Sequence, residues 1–178
     1  MSSNDPNVDM VYSGQKIDWN GDKYKATSGV PGYQRPRHEC TSSKGPIPEG
    51  LYVLRLWGVR EAEVESWSMC RLKPSWRIET IPRGEAARKN NFSCEDYWEQ
   101  WGHHRVRIEP ANQTTKAKCR GKRRGFYLHD STKGYSKGCI EVETEFFDKL
   151  IKRIGQGKLY LKVDYREGFK TDGGTKED

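Results

Sequence analysis

His129 and Cys139 lie ten residues apart within the run from Gly125 to Glu141, and together they are the side chains best suited to covalent chemistry. A thiol becomes a nucleophile as its thiolate, and an unperturbed cysteine, with a pKa near ~8.5, is mostly protonated at neutral pH. An adjacent imidazole can take that proton, and the expected form is an imidazolium–thiolate pair helped by Lys133 and Lys137. Gly138 leaves the backbone beside the thiol free to approach a substrate, and amides near Cys139 are candidate oxyanion donors. Tyr127 stands two residues before His129, so both should share one strand face and Tyr127 is a candidate pocket wall. Ser136 stands three residues before Cys139 and is a candidate to orient His129 or to touch substrate. The alternative is a surface histidine followed by an inert buried cysteine.

Such a pair needs a scaffold that delivers both groups to one place. Phe126 to Leu128 reads as a short apolar strand ending at His129, and the glycine-bearing loop after it returns the chain to Cys139. Met10 to Tyr12, Lys16 to Trp19 and Lys23 to Thr27 read as strands, the last two joined by Asn20-Gly21, a strong two-residue hairpin signal. Leu51 to Leu56, Arg105 to Glu109 and Ile140 to Val142 continue the strand pattern, and Leu159, Leu161, Val163 and Tyr165 alternate as a closing strand. Between the last two, Phe146, Phe147, Leu150, Ile151 and Ile154 make one helical stripe, with Thr144 as N-cap and Gly155 as C-cap. Residues 58–100 break the pattern; Glu61 to Glu65 and Cys94 to Gln100 are read as short helical turns inside an insertion. Residues 1–8 and 168–178 read as tails, and the second, Gly-rich and charged, is expected to be disordered. The expected fold is mainly β with α+β character: an antiparallel β-sandwich or barrel-like core with one main helix after the cysteine, as one domain over residues 1–178.

Composition narrows the function classes. The chain has 178 residues, a net charge of +7 and only 33% hydrophobic residues, with six Trp, nine Tyr and five Phe supplying much of the apolar mass. No apolar run approaches the ~20 residues of a membrane span. The polar N-terminus lacks the pattern of a signal peptide, so synthesis in the cytoplasm is expected. The cysteines besides Cys139 are Cys40, Cys70, Cys94 and Cys119, an even set with three possible connectivities. Cys70–Cys94 is favoured because both lie in the insertion, which leaves Cys40–Cys119. Disulfides suit an oxidising compartment such as the periplasm, so a toxin made in one place and delivered to another fits both signals. No Cys-x-x-Cys pair is present, and His38, His103 and His104 lack ligand spacing, so neither a metal nor a cofactor is expected. The basic run Lys116, Lys118, Arg120, Lys122, Arg123 and Arg124 has no interleaved aromatics, which argues against nucleic acid and for a solvated loop or an anionic polymer.

Ser136-Lys137-Gly138-Cys139-Ile140 resembles the catalytic signature of YkuD-type L,D-transpeptidases, which carry their histidine upstream of the cysteine. The spacing is similar to a shorter branch, the L,D-transpeptidase effectors of type VI secretion. Ser28-Gly29 with Pro31-Gly32, the segment from Gly45 to Tyr52, and the strand from Trp101-Gly102 to Pro110 also resemble that branch. The resemblance covers about residues 10 to 165, interrupted at 58–100. Lys137 and Glu141 depart from it, standing where larger members have histidine and arginine. The resemblance implies an antibacterial effector that trims, exchanges or cross-links tetrapeptide stems of peptidoglycan in the periplasm of a target cell. It also implies a secretion-apparatus component for delivery and a cognate immunity protein as partners. Two rivals remain open: a cysteine amidase or endopeptidase cutting another peptidoglycan bond, and a non-catalytic basic wall-binding module. In papain- and NlpC-like enzymes the cysteine precedes the histidine, the reverse of the order here.

Overall fold

A computed structural model of the chain describes residues 7–165 and 170–177; the expected tail residues 1–6, 168–169 and 178 lie outside them. The chain opens as a meander of β1 (Met10–Tyr12), β2 (Lys16–Trp19) and β3 (Asp22–Thr27). Asn20 and Gly21 turn β2 into β3 with φ of 52° and 93°, the left-handed pair that a tight hairpin requires and that Asn and Gly tolerate. β4 (Gly50–Arg55) is followed by the short strands β5 (Val59–Glu61), β6 (Val64–Ser66), β7 (Arg71–Leu72), β8 (Ile78–Thr80), β9 (Arg88–Lys89) and β10 (Phe92–Ser93). After them come α1 (Glu95–Trp98), β11 (His104–Pro110), α2 (Gln113–Ala117), β12 (Phe126–His129), β13 (Ile140–Val142), α3 (Glu145–Ile151) and β14 (Lys158–Val163).

Eight of these strands close on themselves in the order β12-β13-β3-β2-β1-β14-β4-β11, with β11 pairing back to β12. The mainly β class therefore takes the form of a closed barrel, and it is not wholly antiparallel: β1 with β14 and β12 with β13 run parallel. Closure removes the exposed sheet edges an open sandwich would leave. Alternation along each strand separates two faces. Val106 and Ile108, Phe126 and Leu128, Ile140 and Val142, and Leu159, Leu161 and Val163 turn inward to one core. α3 adds Phe146, Phe147 and Leu150 to it, with Phe146 against Trp19. Ile154 stands beyond the helix end and is exposed. Thr144 does not cap α3; its hydroxyl donates to the Asp130 carboxylate at 2.8 Å.

The residues of the expected insertion build a second, smaller core from Ala62, Leu72, Ile81, Ala87, Cys94 and Trp98. Cys70 is joined to Cys94 within it, with Cα atoms 5.4 Å apart, and Cys40 is joined to Cys119 across 5.1 Å. Glu61 to Glu65 is not helical: Val59–Glu61 pairs in parallel with β8, and Val64–Ser66 pairs with β7. Residues 170–177 are not a free tail either. Thr171 and Thr175 are buried; the Ser28 N–H donates to the Thr171 carbonyl at 2.8 Å, and the Glu177 N–H donates to the Thr132 carbonyl at 2.9 Å. Gly173 lies where any Cβ would stand 2.1 Å from the Gln15 carbonyl oxygen. This docking uses hydrogen bonds rather than apolar area, so a Gly-rich polar composition gives no periodic sign of it. Among the described residues no helix is long and apolar enough to cross a membrane.

Candidate active site

The inward side chains of β11, β12 and β13 fix what points out. On β12 Leu128 faces the core, so Tyr127 and His129 project to the outer surface of the barrel; on β13 Ile140 and Val142 face in and Glu141 faces out. The strands are in parallel register, Leu128 with Ile140 and His129 with Glu141. One step back along β13 brings Cys139 beside Tyr127, whose N–H donates to the thiol sulfur at 3.4 Å. Cys139, Tyr127, His129 and Glu141 thus share one face, with Cys139 and His129 on the diagonal of the four. Cys139 is the free cysteine of the described residues.

His129 is almost wholly buried, at 2% exposure. The Trp101 ring closes over it edge-on, 5.5 Å between centroids. Its Nδ1 lies 2.9 Å from Ser131 Oγ, and the Ser131 hydroxyl donates in turn to Glu141 Oε2. A serine has one proton to give. With that proton on Glu141, Ser131 Oγ accepts from His129 Nδ1–H, the tautomer in which Nε2 is the basic nitrogen, and the Trp101 backbone also hydrogen-bonds the ring. Glu141 is suited to this because each of its oxygens already holds a backbone donor: Gly134 N–H at 2.7 Å on Oε1 and Lys133 N–H at 3.2 Å on Oε2. Thr175 of the docked tail donates to Oε1 as well. Burial pushes the Glu141 carboxyl up, and bonds from Ser131, Thr175 and Gly134 with the Lys133 charge pull it back.

Both groups are shifted away from the imidazolium–thiolate pair expected from the sequence. Burial, reinforced by Lys133, drives His129 down to about 3. Burial also pushes the Cys139 thiol up, against the Tyr127 N–H and the charges of Lys133, Arg105 and Arg123. Both shifts favour the neutral thiol and the neutral imidazole over an ion pair, because Trp101 and the surrounding loops remove the water that an ion pair would need.

The Cys139 loop is held from behind. Ser136 does not reach His129; its hydroxyl donates to the Cys139 carbonyl and accepts from Gly138 N–H at 3.3 Å and Gly29 N–H at 3.4 Å. The Gly138 amide is therefore engaged inside the loop rather than presented as an oxyanion donor. Nor does Gly138 open space for substrate: at φ +135° its missing Cβ leaves room for Arg123 Nη2, which would stand 2.4 Å from it. Arg123, expected in a solvated basic loop, is buried, donating to the carbonyls of Glu39 at 2.8 Å, Pro46 at 2.7 Å and Lys137 at 3.1 Å. Ser28 Oγ donates to the Gly138 carbonyl at 3.1 Å and accepts from Ile47 N–H at 2.9 Å. Three segments distant in sequence, around Ser28, Gly45 and Ser136, thus meet beneath Cys139.

The insertion reaches the other side. Arg105 of β11 projects outward, 3% exposed, and its Nε donates to Glu79 Oε1 of β8 at 2.8 Å. Its guanidinium lies between the Tyr127 and Trp101 rings, 4.5 and 4.6 Å from their centroids. Tyr127 is therefore a wall of the outer site rather than part of the barrel core. Trp98 belongs to the second core, and Trp101 packs against that core while its ring covers Tyr127 and His129. Asp130 faces away from His129 and Cys139, accepting the His103 and His104 N–H groups and His104 Nδ1, each at 2.7 Å. Burial raises its carboxyl, but the His104 and Thr144 donors outweigh that and hold it below the usual carboxylate range. Among the described residues no three His, Cys, Asp or Glu side chains gather into a metal site. Ser131, Arg105 and Thr175 escaped sequence reasoning; of these only Ser131, two residues past His129, carried a signal of position.

No family model matches the chain, and no curated protein matches it.

Proposed function

We propose that the chain is a cysteine-dependent L,D-carboxypeptidase or L,D-transpeptidase acting on tetrapeptide stems of peptidoglycan, and that it serves as a secreted antibacterial effector. The observation that carries the reading is the Glu141–Ser131–His129 series, which leaves His129 Nε2 as a base on the same outer face as the Cys139 thiol. The resemblance of residues 136–140 to L,D-transpeptidases supplies the substrate class. Cys139 Sγ attacks the carbonyl between the L-centre of meso-diaminopimelate and the terminal D-alanine, and its proton passes to His129 Nε2. The C–N bond then breaks, the proton goes to the departing alanine amine, and a thioester remains on Cys139. Water, a D-amino acid or a neighbouring stem amine attacks that thioester and the thiol is restored. Burial disfavours an ion pair at rest, so proton transfer accompanies attack rather than preceding it. The bonded Gly138 amide leaves backbone amides elsewhere near Cys139 to hold the oxyanion. Delivery by a secretion apparatus to a target periplasm, and blockade by an immunity protein, belong to the same reading.

The test is mass analysis of purified tetrapeptide muropeptides incubated with the chain, with and without glycine or a D-amino acid, beside Cys139→Ala. Loss or exchange of the terminal alanine that requires Cys139 is expected. Unchanged stems under oxidising and reducing conditions would leave a wall-binding module or a different scissile bond.

A further inference from the structure

The outer face of β11 carries a second arginine that the chemistry above does not use. Arg107 is the Cα register partner of Tyr127, and Tyr127 adjoins Cys139, so the backbones of Arg107 and Cys139 stand two strand spacings apart, about 10 Å. Its guanidinium rests on the Trp76 ring at 4.7 Å. Among the described residues it makes no ion pair, and its Nε is buried without an acceptor. The neighbouring cations are engaged differently: Arg105 with Glu79, Arg123 with four backbone carbonyls, and Arg55 between the Trp57 and Trp76 rings with Glu109 at 3.6 Å. A buried N–H without an acceptor, beside a fixed aromatic plate, suits a planar anion, since guanidinium donors match a carboxylate two at a time.

The proposed substrate contains such an anion at a matching distance. In meso-diaminopimelate the D-centre carboxylate is six bonds from the scissile carbonyl carbon, about 7–8 Å when extended. The terminal D-alanine carboxylate is only three bonds away, too near to reach across two strands. We propose that Arg107, braced by Trp76, takes the free D-centre carboxylate of the acyl-donor stem and makes the enzyme selective for it. This inference rests on the reading under Proposed function.

The experiment compares three tetrapeptide stems: meso-diaminopimelate with its D-centre carboxylate free, the same stem with that carboxylate amidated, and a lysine stem. Values of kcat/KM are measured for the unaltered chain, Arg107→Gln and Arg107→Lys, with thermal unfolding as the folding control. The unaltered chain is expected to prefer the free acid by about 10- to 100-fold, the range of a hydrogen bond to a charged partner. Arg107→Gln should lose that factor on the free acid alone, and Arg107→Lys should retain part of the preference. Equal losses on all three stems, or indifference of the unaltered chain to amidation, overturn the assignment. Turnover of none of the stems overturns the proposed function instead. Calorimetry on Cys139→Ala then decides Arg107: tighter binding of the free acid supports it, and equal binding overturns it.

Discussion

The Glu141 carboxylate and the His129 imidazole, register partners on adjacent parallel strands, are joined through the single hydroxyl of Ser131. At the position where larger members of the family it resembles have arginine, this chain has a buried acid linked through that hydroxyl to the histidine. A carboxylate acting through a hydroxyl orients the ring and stabilises charge on it without competing for its proton.

Ser131→Ala removes the acceptor for Nδ1–H while leaving Nε2 and the thiol in place. It should lower kcat by about 10- to 100-fold with KM little changed, the scale of losing a group that orients a functional histidine. Ser131→Thr, which keeps the hydroxyl, should restore most of the rate. Steady-state kinetics on a tetrapeptide stem decide it, and a pure KM effect would show that the series does not serve His129.

Gly138→Ala places a methyl 2.4 Å from Arg123 Nη2 at φ +135°. Backbone strain of this kind costs about 1–3 kcal/mol. Arg123→Ala relieves the clash but abandons carbonyls of Glu39, Gly45, Pro46 and Lys137. The two changes should therefore couple in a double-mutant cycle of chemical unfolding, the pair costing less than the sum; strict additivity would contradict the packing.

Closing the segment between Cys70 and Cys94 contributes roughly 3 kcal/mol by the chain-entropy account. Cys70→Ala with Cys94→Ala should loosen the second core and, with it, the Trp101 ring over His129. Activity and protection of the Trp101 amide from hydrogen exchange should fall together. Full activity with an unprotected Trp101 would show the insertion to be a bystander.

His129 reaches about 3 in the folded chain against an ordinary value near ~6.5 when unfolded. A depressed value means the unfolded state takes the proton first, so the stability due to neutral His129 is complete above about pH 6.5 and drains away as pH falls towards 3. Unfolding midpoints from pH 7 to pH 4 should fall more steeply for the native chain than for His129→Gln, and parallel curves would contradict the burial. For the same reason kcat/KM should show no acid limb near pH 6.5, in contrast to an exposed histidine base.

Thr175→Val deletes the tail hydroxyl that donates to Glu141 and leaves a buried carboxylate oxygen one donor short. A cost of about 1–3 kcal/mol in thermal or chemical unfolding is expected. An unchanged midpoint would mean that residues 170–177 contribute little to the site.

The strands around the barrel were legible because period-two alternation records which side is buried, and Asn20-Gly21 recorded its own turn. The closeness of His129 and Cys139 was legible, since a strand, a loop and a second strand bring two residues ten positions apart to neighbouring rungs. Barrel closure was not legible, because β11 meets β12 and β4 on its two edges and nothing local distinguishes that from an open sandwich. Arg123 read as surface because its acceptors are backbone carbonyls far away in sequence. The tail read as disordered because Thr171 and Thr175 are held by hydrogen bonds to Ser28 and Glu141, not by a hydrophobic stripe. The neutral state of the pair follows from Trp101 and the loops that bury it, which are tertiary facts.

The most direct test is intact-protein mass spectrometry of the chain quenched in acid seconds after mixing with a tetrapeptide stem. The account predicts an adduct of the acyl tripeptide, with alanine released, that maps to Cys139. It should be absent in Cys139→Ala and accumulate more slowly in Ser131→Ala. A chain that turns over stems with no thioester on Cys139, or carries the adduct on another residue, would contradict the central claim.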